Sequence, residues 1–150
     1  MAEDYPEIQY DEPIVDNAAM QLVTRPETFD VLLMPNLYGD ILSDLAAGLV
    51  GGLGIVPGAN LGETHAVFEV VHGSAPDIAG RGIANTTGLM QSAVLVLNHL
   101  GEGTAAARLQ LAIHDVYAEG RYLTPDVGGS ASTADFTDAV IRNLELPAAA

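Results

Sequence analysis

The chain has 150 residues, with 20 Asp and Glu against 5 Lys and Arg, and a formal net charge of −15 at pH 7. A hydrophobic share of 49% with 17% charged residues excludes a disordered polyelectrolyte and suffices for one or two packed domains. The acidity excludes nucleic acid and anionic membrane as partners, because both are held by clustered Lys and Arg.

Residues 1–10 are acidic and lack the apolar stretch of a secretory signal. Residues 8–15 read as a short strand, weakened by Pro13, which has no N–H to give a ladder. Asp16 then reads as the N-cap of a helix running to Thr24, where Pro26 stops it. Residues 30–34, Asp-Val-Leu-Leu-Met, form a short apolar run before Pro35 and are expected as a buried strand of a parallel sheet. In residues 37–50 the apolar positions Leu37, Ile41, Leu42, Leu45, Ala46 and Leu49 recur at helical spacing. Residues 51–62 are rich in Gly and Pro and mark a boundary. The same glycines break the longest apolar stretch, 45–59, so it predicts no membrane-spanning helix.

Beyond the boundary, residues 66–71 read as a second buried strand, followed by a loop over 72–86. Helices are expected over 87–100, 104–119 and 131–144, the first two closed by Gly101 and Gly120 and the last capped by Ser130 or Ser132. Pro147 and three alanines make a tail. Strands alternating with helices give an α/β fold with parallel-type strands and flanking helices. A mean hydropathy of +0.26 is high for a chain this acidic, so some apolar surface is expected to face a partner.

Two absences bound the chemistry. The cations are Arg25, Arg81, Arg108, Arg121 and Arg142, so no lysine amine is available as base, acid or imine former. Cysteine is absent, which removes disulfides, thiolate metal sites and a cysteine nucleophile and is compatible with a cytoplasmic protein. The carboxylates are more informative. Asp40 and Asp44 are one helical turn apart, so both project from one face and repel each other. A divalent cation between them reverses that sign, and hard cations such as Mg²⁺ take one or two carboxylates plus waters. A solvated acidic face explains the same spacing, and spacing alone leaves both readings open.

Three segments carry a resemblance. Asn36-Leu37-Tyr38-Gly39-Asp40-Ile41-Leu42-Ser43-Asp44, Gly51-Gly52-Leu53-Gly54 and His72-Gly73-Ser74-Ala75-Pro76-Asp77-Ile78-Ala79-Gly80 resemble the β-decarboxylating dehydrogenases: isocitrate, isopropylmalate and homoisocitrate dehydrogenases. The likeness runs from Val15-Asp16-Asn17 to Gly128-Gly129-Ser130 and the last helix, and the wording around residues 36–52 is nearest to NAD-dependent isocitrate dehydrogenases. It implies a partial fold of that type: residues 1–50 as the end of a small dimerisation and metal domain, and residues 51–150 as the C-terminal half of a large cofactor domain. The N-terminal half of the family fold, with its substrate-holding Ser and Arg cluster, catalytic Tyr and catalytic Lys, has no counterpart here.

The resemblance also implies site residues. Asp40 and Asp44 match the Mg²⁺ or Mn²⁺ ligands, with Asp16 matching a third ligand delivered by a neighbouring subunit. His72, Gly73, Ser74, Ala75, Asp77, Ile78 and Asn85 match the dinucleotide loop, with His72 and Asn85 near the adenine. Asp77-Ile78 goes with NAD, where Lys-Tyr goes with NADP. This fits the physics: small residues admit close backbone approach, and a carboxylate accepts from ribose hydroxyls but repels a 2′-phosphate. Thr86 and Val70 replace residues that are often proline in the family, which loosens the loop without removing a binding group. No catalytic residue is assigned; Tyr38, beside the aspartates, matches a structural position, and His65, His99 and His114 need no function.

The implied reaction is oxidative decarboxylation of a 2-hydroxy-3-carboxy acid, isocitrate first, with isopropylmalate or homoisocitrate as alternatives. Since the lysine, tyrosine and substrate clamp are missing, the isolated chain is expected not to turn over. A folded non-catalytic fragment or engineered half-domain, binding nucleotide or metal at most weakly, is the competing expectation. The expected partners are a second copy of the chain or a complementing N-terminal chain.

Overall fold

The computed structural model describes residues 4–145, and they divide into two compact units, up to Leu49 and from Val50 onward. The first unit holds helix α1 (Val15–Thr24), a 3-10 turn at Pro26–Thr28 and helix α2 (Asn36–Val50), whose last residue opens the second unit. The second holds a 3-10 turn at Leu53–Ile55, strands β1 (Pro57–Leu61) and β2 (Ala66–Val70), helices α3 (Thr87–His99) and α4 (Gly103–Glu119), a 3-10 turn at Pro125–Val127, and helix α5 (Thr133–Glu145). No helix among the described residues is long and apolar enough to cross a membrane.

In the first unit the helices form where periodicity puts them, and the two expected strands do not form. Residues 8–14 join no ladder and Val15 begins α1, with Ile8, Tyr10 and Ile14 exposed. Residues 30–34 also lack a ladder, leaving Val31 82% and Leu33 93% exposed. A strand exists only when another satisfies its N–H and C=O groups, and the described residues of this unit supply none. Asp16 is not the cap of α1: Ile14 holds that position, with extended φ −66° and ψ 138°. Asp16 lies in the first helical turn, where its carboxylate accepts the Asn17 N–H at 2.6 Å and meets the positive end of the helix. Only Ala18 and Leu22 of α1 and Leu42 and Ala47 of α2 are buried.

In the second unit, α2 is left through Gly51 and Gly52, whose φ of 123° and 111° suit glycine. The Gly- and Pro-rich stretch conceals β1, which pairs with β2 from Pro57↔Val70 to Leu61↔Ala66. This pair is antiparallel, where parallel-type strands were expected, and β2 is alternately half-buried and exposed rather than fully buried. The short link explains the direction, since the Gly62 N–H reaches the His65 carbonyl at 2.9 Å and so tight a return joins only antiparallel neighbours, and the alternation is that of a ribbon with one face covered, here by α3. Helix α3 lies on this ribbon, and the Ser92 hydroxyl donates to the Glu69 carbonyl at 2.6 Å.

Helices α3, α4 and α5 pack in succession. The core joins Ala112, Ile113 and Val116 of α4 to Phe136, Ala139 and Val140 of α5, flanked by Met90, Leu109, Tyr117, Tyr122 and Leu144. Tyr117 meets Phe136 edge-on, with centroids 5.7 Å apart. Gly120 ends α4 in the left-handed region (φ 67°), as its position predicts. Ser132 caps α5: its hydroxyl accepts the Asp135 N–H at 3.1 Å, and Asp135 accepts the Ser132 N–H at 3.1 Å. The expected tail from Pro147 lies outside the described residues.

Candidate functional site

Residues 71–86 connect the end of β2 to the start of α3 without regular structure beyond a turn at 76–80. His72, Gly73, Ser74 and Asp77 are exposed, and Ala75 and Ile78 are half-buried. The His72 ring approaches its neighbour's carbonyl, Nδ1 to Gly73 O at 3.0 Å, so the backbone itself supplies this histidine with a partner. Nothing stands within 4 Å of where a side chain at Gly73 would begin, leaving that backbone open to approach. Ala75 has φ 42°, in the left-handed region that costs an alanine about 1–2 kcal/mol. Its carbonyl accepts the N–H groups of both Ile78 and Ala79 at 3.0 Å, which closes the turn and presents Asp77 outward.

Asn85, at the far end of the loop, is buried. Its Nδ2 donates to the Tyr117 hydroxyl and to Asp126 Oδ2, each at 3.1 Å, and its Oδ1 accepts the Thr87 N–H at 3.0 Å. The amide orientation is unambiguous, since a carboxylate only accepts and an N–H only donates. Thr87 Oγ1 is 2.8 Å from the same Tyr117 hydroxyl. Gly88 fixes the helix start against the preceding turn, because an added Cβ there would sit 3.0 Å from the Gly54 carbonyl and 3.1 Å from that of Val56. Tyr117, Thr87 and Asp126 were not singled out from the sequence. Tyr117 and Asp126 lie 32 and 41 residues from Asn85, and no local spacing carries such a contact.

The expected metal ligands lie on helices of the first unit. Asp40 and Asp44 are exposed on α2, one turn apart, and neither carboxylate has a hydrogen bond or ion pair among the described residues. Asp16 is exposed on α1. The three do not converge: among the described residues no cluster of three or more His, Asp or Glu could hold a metal. Two unengaged carboxylates on one helical face remain suitable hard donors for Mg²⁺ or Mn²⁺, which bind one or two carboxylates and complete their shell with water.

Comparison with known proteins shows the family. The isocitrate/isopropylmalate dehydrogenase family model matches residues 1–140. Isocitrate/homoisocitrate dehydrogenase of Thermus thermophilus is 57% identical over 145 residues, which is 97% of this chain and 43% of that protein. The mitochondrial NAD isocitrate dehydrogenase catalytic subunit 5 of Arabidopsis thaliana is 54% identical, over 96% of this chain and 39% of that one. The crystal structure of isocitrate dehydrogenase from Methylococcus capsulatus is similar with a TM-score of 0.93 at 48% identity, covering 97% of this chain and 43% of that one. The chain thus spans about two fifths of the curated relatives it matches. With the sequence motifs, the α/β architecture and these likenesses in agreement, the chain belongs to the isocitrate/isopropylmalate dehydrogenase family.

Proposed function

We propose that this chain is the metal- and dinucleotide-binding part of an NAD-dependent, Mg²⁺- or Mn²⁺-dependent oxidative decarboxylase of a 2-hydroxy-3-carboxy acid, isocitrate foremost. The observation that carries the reading is the loop at 72–85, which leaves Asp77 exposed and the backbone at Gly73 open to approach. NAD⁺ and the divalent cation, when bound, supply the hydride acceptor and the Lewis acid of such a reaction. The chain's own residues bind and orient. Asp77 accepts from the ribose hydroxyls; Ser74, Ile78 and the backbone at Gly73 and Ala75 receive the dinucleotide; His72 and Asn85 lie near its adenine. Asp40 and Asp44 hold the cation, joined by Asp16 where a second copy of the chain or another partner delivers it.

The transformation takes a hydride from C2 and a proton from its hydroxyl, then breaks the bond from C3 to its carboxylate, releasing CO₂ and leaving the electron pair as an enolate. The chain has no lysine, and the resemblance implies that the family's catalytic lysine and tyrosine, its proton-transfer groups, come from outside these 150 residues. The isolated chain therefore binds without turning over. The Arabidopsis relative is an NAD enzyme by name, and the Thermus relative acts on isocitrate or homoisocitrate by name, which supports NAD as cofactor and keeps homoisocitrate as the alternative substrate.

Titration calorimetry with NAD⁺, NADP⁺ and Mn²⁺ tests the reading. NAD⁺ should bind better than NADP⁺, Asp77→Lys should move the preference toward NADP⁺, and Asp40→Asn should abolish Mn²⁺ binding. Failure of the chain to bind either dinucleotide or Mn²⁺ leaves only a folded, non-catalytic module, the second reading, which the self-contained core of α4 and α5 favours.

A further inference from the structure

We infer that Tyr117 is a positioning residue for the dinucleotide: its hydroxyl holds Asn85 and the first turn of α3, and so sets the shape of the binding loop. This rests on the dinucleotide reading of the loop and adds a residue that itself lies outside the loop.

Three observations carry it. First, the Asn85 amide is committed. Both Nδ2 hydrogens are used, on Tyr117 and Asp126, and Oδ1 is occupied by the Thr87 N–H. Its side chain therefore cannot donate to a base without releasing one of those partners, so its contribution to the loop is geometric. Second, one hydroxyl serves both sides of the loop's end. Tyr117 is 3.1 Å from Asn85 Nδ2 and 2.8 Å from Thr87 Oγ1, joining the last loop residues to the start of α3. Third, the phenol is itself fixed. Tyr117 flanks the core and lies edge-on to the fully buried Phe136, so its position is set by packing between α4 and α5. The opposite side of the amide is held by Asp126, whose Oδ2 lies 3.4 Å from where a Cβ on Gly54 would be, so the carboxylate is itself seated against backbone.

Residues 72–80 of the loop have no comparable tether to the core among the described residues. The bonds of that stretch are short-range turn contacts, such as those to the Ala75 carbonyl, whereas residues 82–86 are tied also to α5: the Ala84 carbonyl accepts the Thr133 hydroxyl at 2.7 Å, the Gly82 carbonyl accepts the Thr133 N–H at 2.8 Å, and Thr86 Oγ1 lies 3.2 Å from Thr137 Oγ1. Removing the phenol oxygen frees one Asn85 hydrogen in a buried place and lets the end of the loop sample other shapes. Apparent affinity then falls by the fraction of time the binding shape is kept.

The test is Tyr117→Phe in the full chain, which deletes the oxygen and keeps the ring on Phe136. NAD⁺ affinity should fall about tenfold by calorimetry, while Mn²⁺ affinity stays unchanged and the far-ultraviolet circular dichroism is that of the parent. A double-mutant cycle separates positioning from general stability: in an Asn85→Ala background, Tyr117→Phe should produce no further loss of NAD⁺ affinity. If Tyr117→Phe melts earlier yet binds NAD⁺ as the parent does, the hydroxyl is structural only and the inference is overturned, with the dinucleotide reading intact. Equal further losses in both backgrounds overturn it too. If the parent chain itself binds no dinucleotide, the reading of the loop fails and takes this inference with it. Asp126→Ala supplies a second approach to the same amide and should weaken NAD⁺ in the same direction.

Discussion

The two units use similar apolar material with opposite results. In the second unit, Val116 and Phe136 are fully buried, and a contiguous cluster joins two helices. In the first, the apolar run 30–34 and the helix after it leave Val31, Leu33, Leu37 and Ile41 more than half exposed. A hydropathy pattern states which side chains gain from leaving water. It does not say whether the same chain supplies the surface to bury them. The contrast can be sharpened or broken by substitution, from the largest expected effect downward.

Phe136→Ala removes the largest fully buried side chain and should cost about 3–5 kcal/mol, enough to unfold a marginal domain, read as a lost cooperative urea transition in the second unit. Gly129→Ala comes next. A Cβ there would overlap the Leu123 backbone carbonyl, and since backbone cannot step aside cheaply, a loss of about 3 kcal/mol is expected in the same titration. Thr124→Val should go the other way. Thr124 is fully buried and its hydroxyl has no partner among the described residues, so an isosteric methyl should stabilise by about 1 kcal/mol and raise the melting temperature.

Ser132→Ala should remove about 1 kcal/mol as a lost helix cap. It also carries a pH signature. The Ser132 hydroxyl, then its N–H, and more weakly the Arg142 charge hold the Asp135 carboxyl below its ordinary value. A depressed folded-state pKa gives stability that is present above the unfolded value and lost as pH falls through the folded one. The acid limb of the stability curve should therefore flatten in Ser132→Ala, and an unchanged limb would remove the cap's electrostatic role. The smallest effect belongs to the first unit: Leu33→Ser should change stability by less than about 0.5 kcal/mol, because Leu33 is 93% exposed. A large loss there would mean that this leucine is buried in solution and would break the comparison.

Much of this was legible in the sequence, and apart from the cap of α1 the failures are of one kind. The helices follow from spacing and punctuation: Pro26 after α1, Gly120 after α4 and the Ser132 cap before α5 act within a few residues of themselves. Of the strands, β2 lies where residues 66–71 were expected, but the others do not follow, because pairing is a relation between segments. The run at 30–34 has strand composition and no partner, whereas β1, made of Pro-Gly-Ala-Asn-Leu, has breaker composition and a partner in β2. An edge strand tolerates the proline that argued against it. The open loop at 72–80 was legible through its small residues and Asp77, while the tie from Asn85 to Tyr117 was not, since it crosses 32 residues.

That separation along the chain has a kinetic consequence. In the second unit, β1 with β2, α3 with α4 and α4 with α5 are all neighbours in sequence as well as in space. Contacts between consecutive elements close short loops and form early, so this unit should assemble on the fast side for its size. The hydrogen bonds from Asn85 to Tyr117 and Asp126 require the widest closures of that amide network, across 32 and 41 residues, and they secure nothing until α4 and the turn after it are already in place. The end of the loop is therefore the last part to be locked. By the same ordering it is among the first to open when the folded protein fluctuates, and amide exchange at Thr87 should report that opening well before the core between Val116 and Phe136 yields.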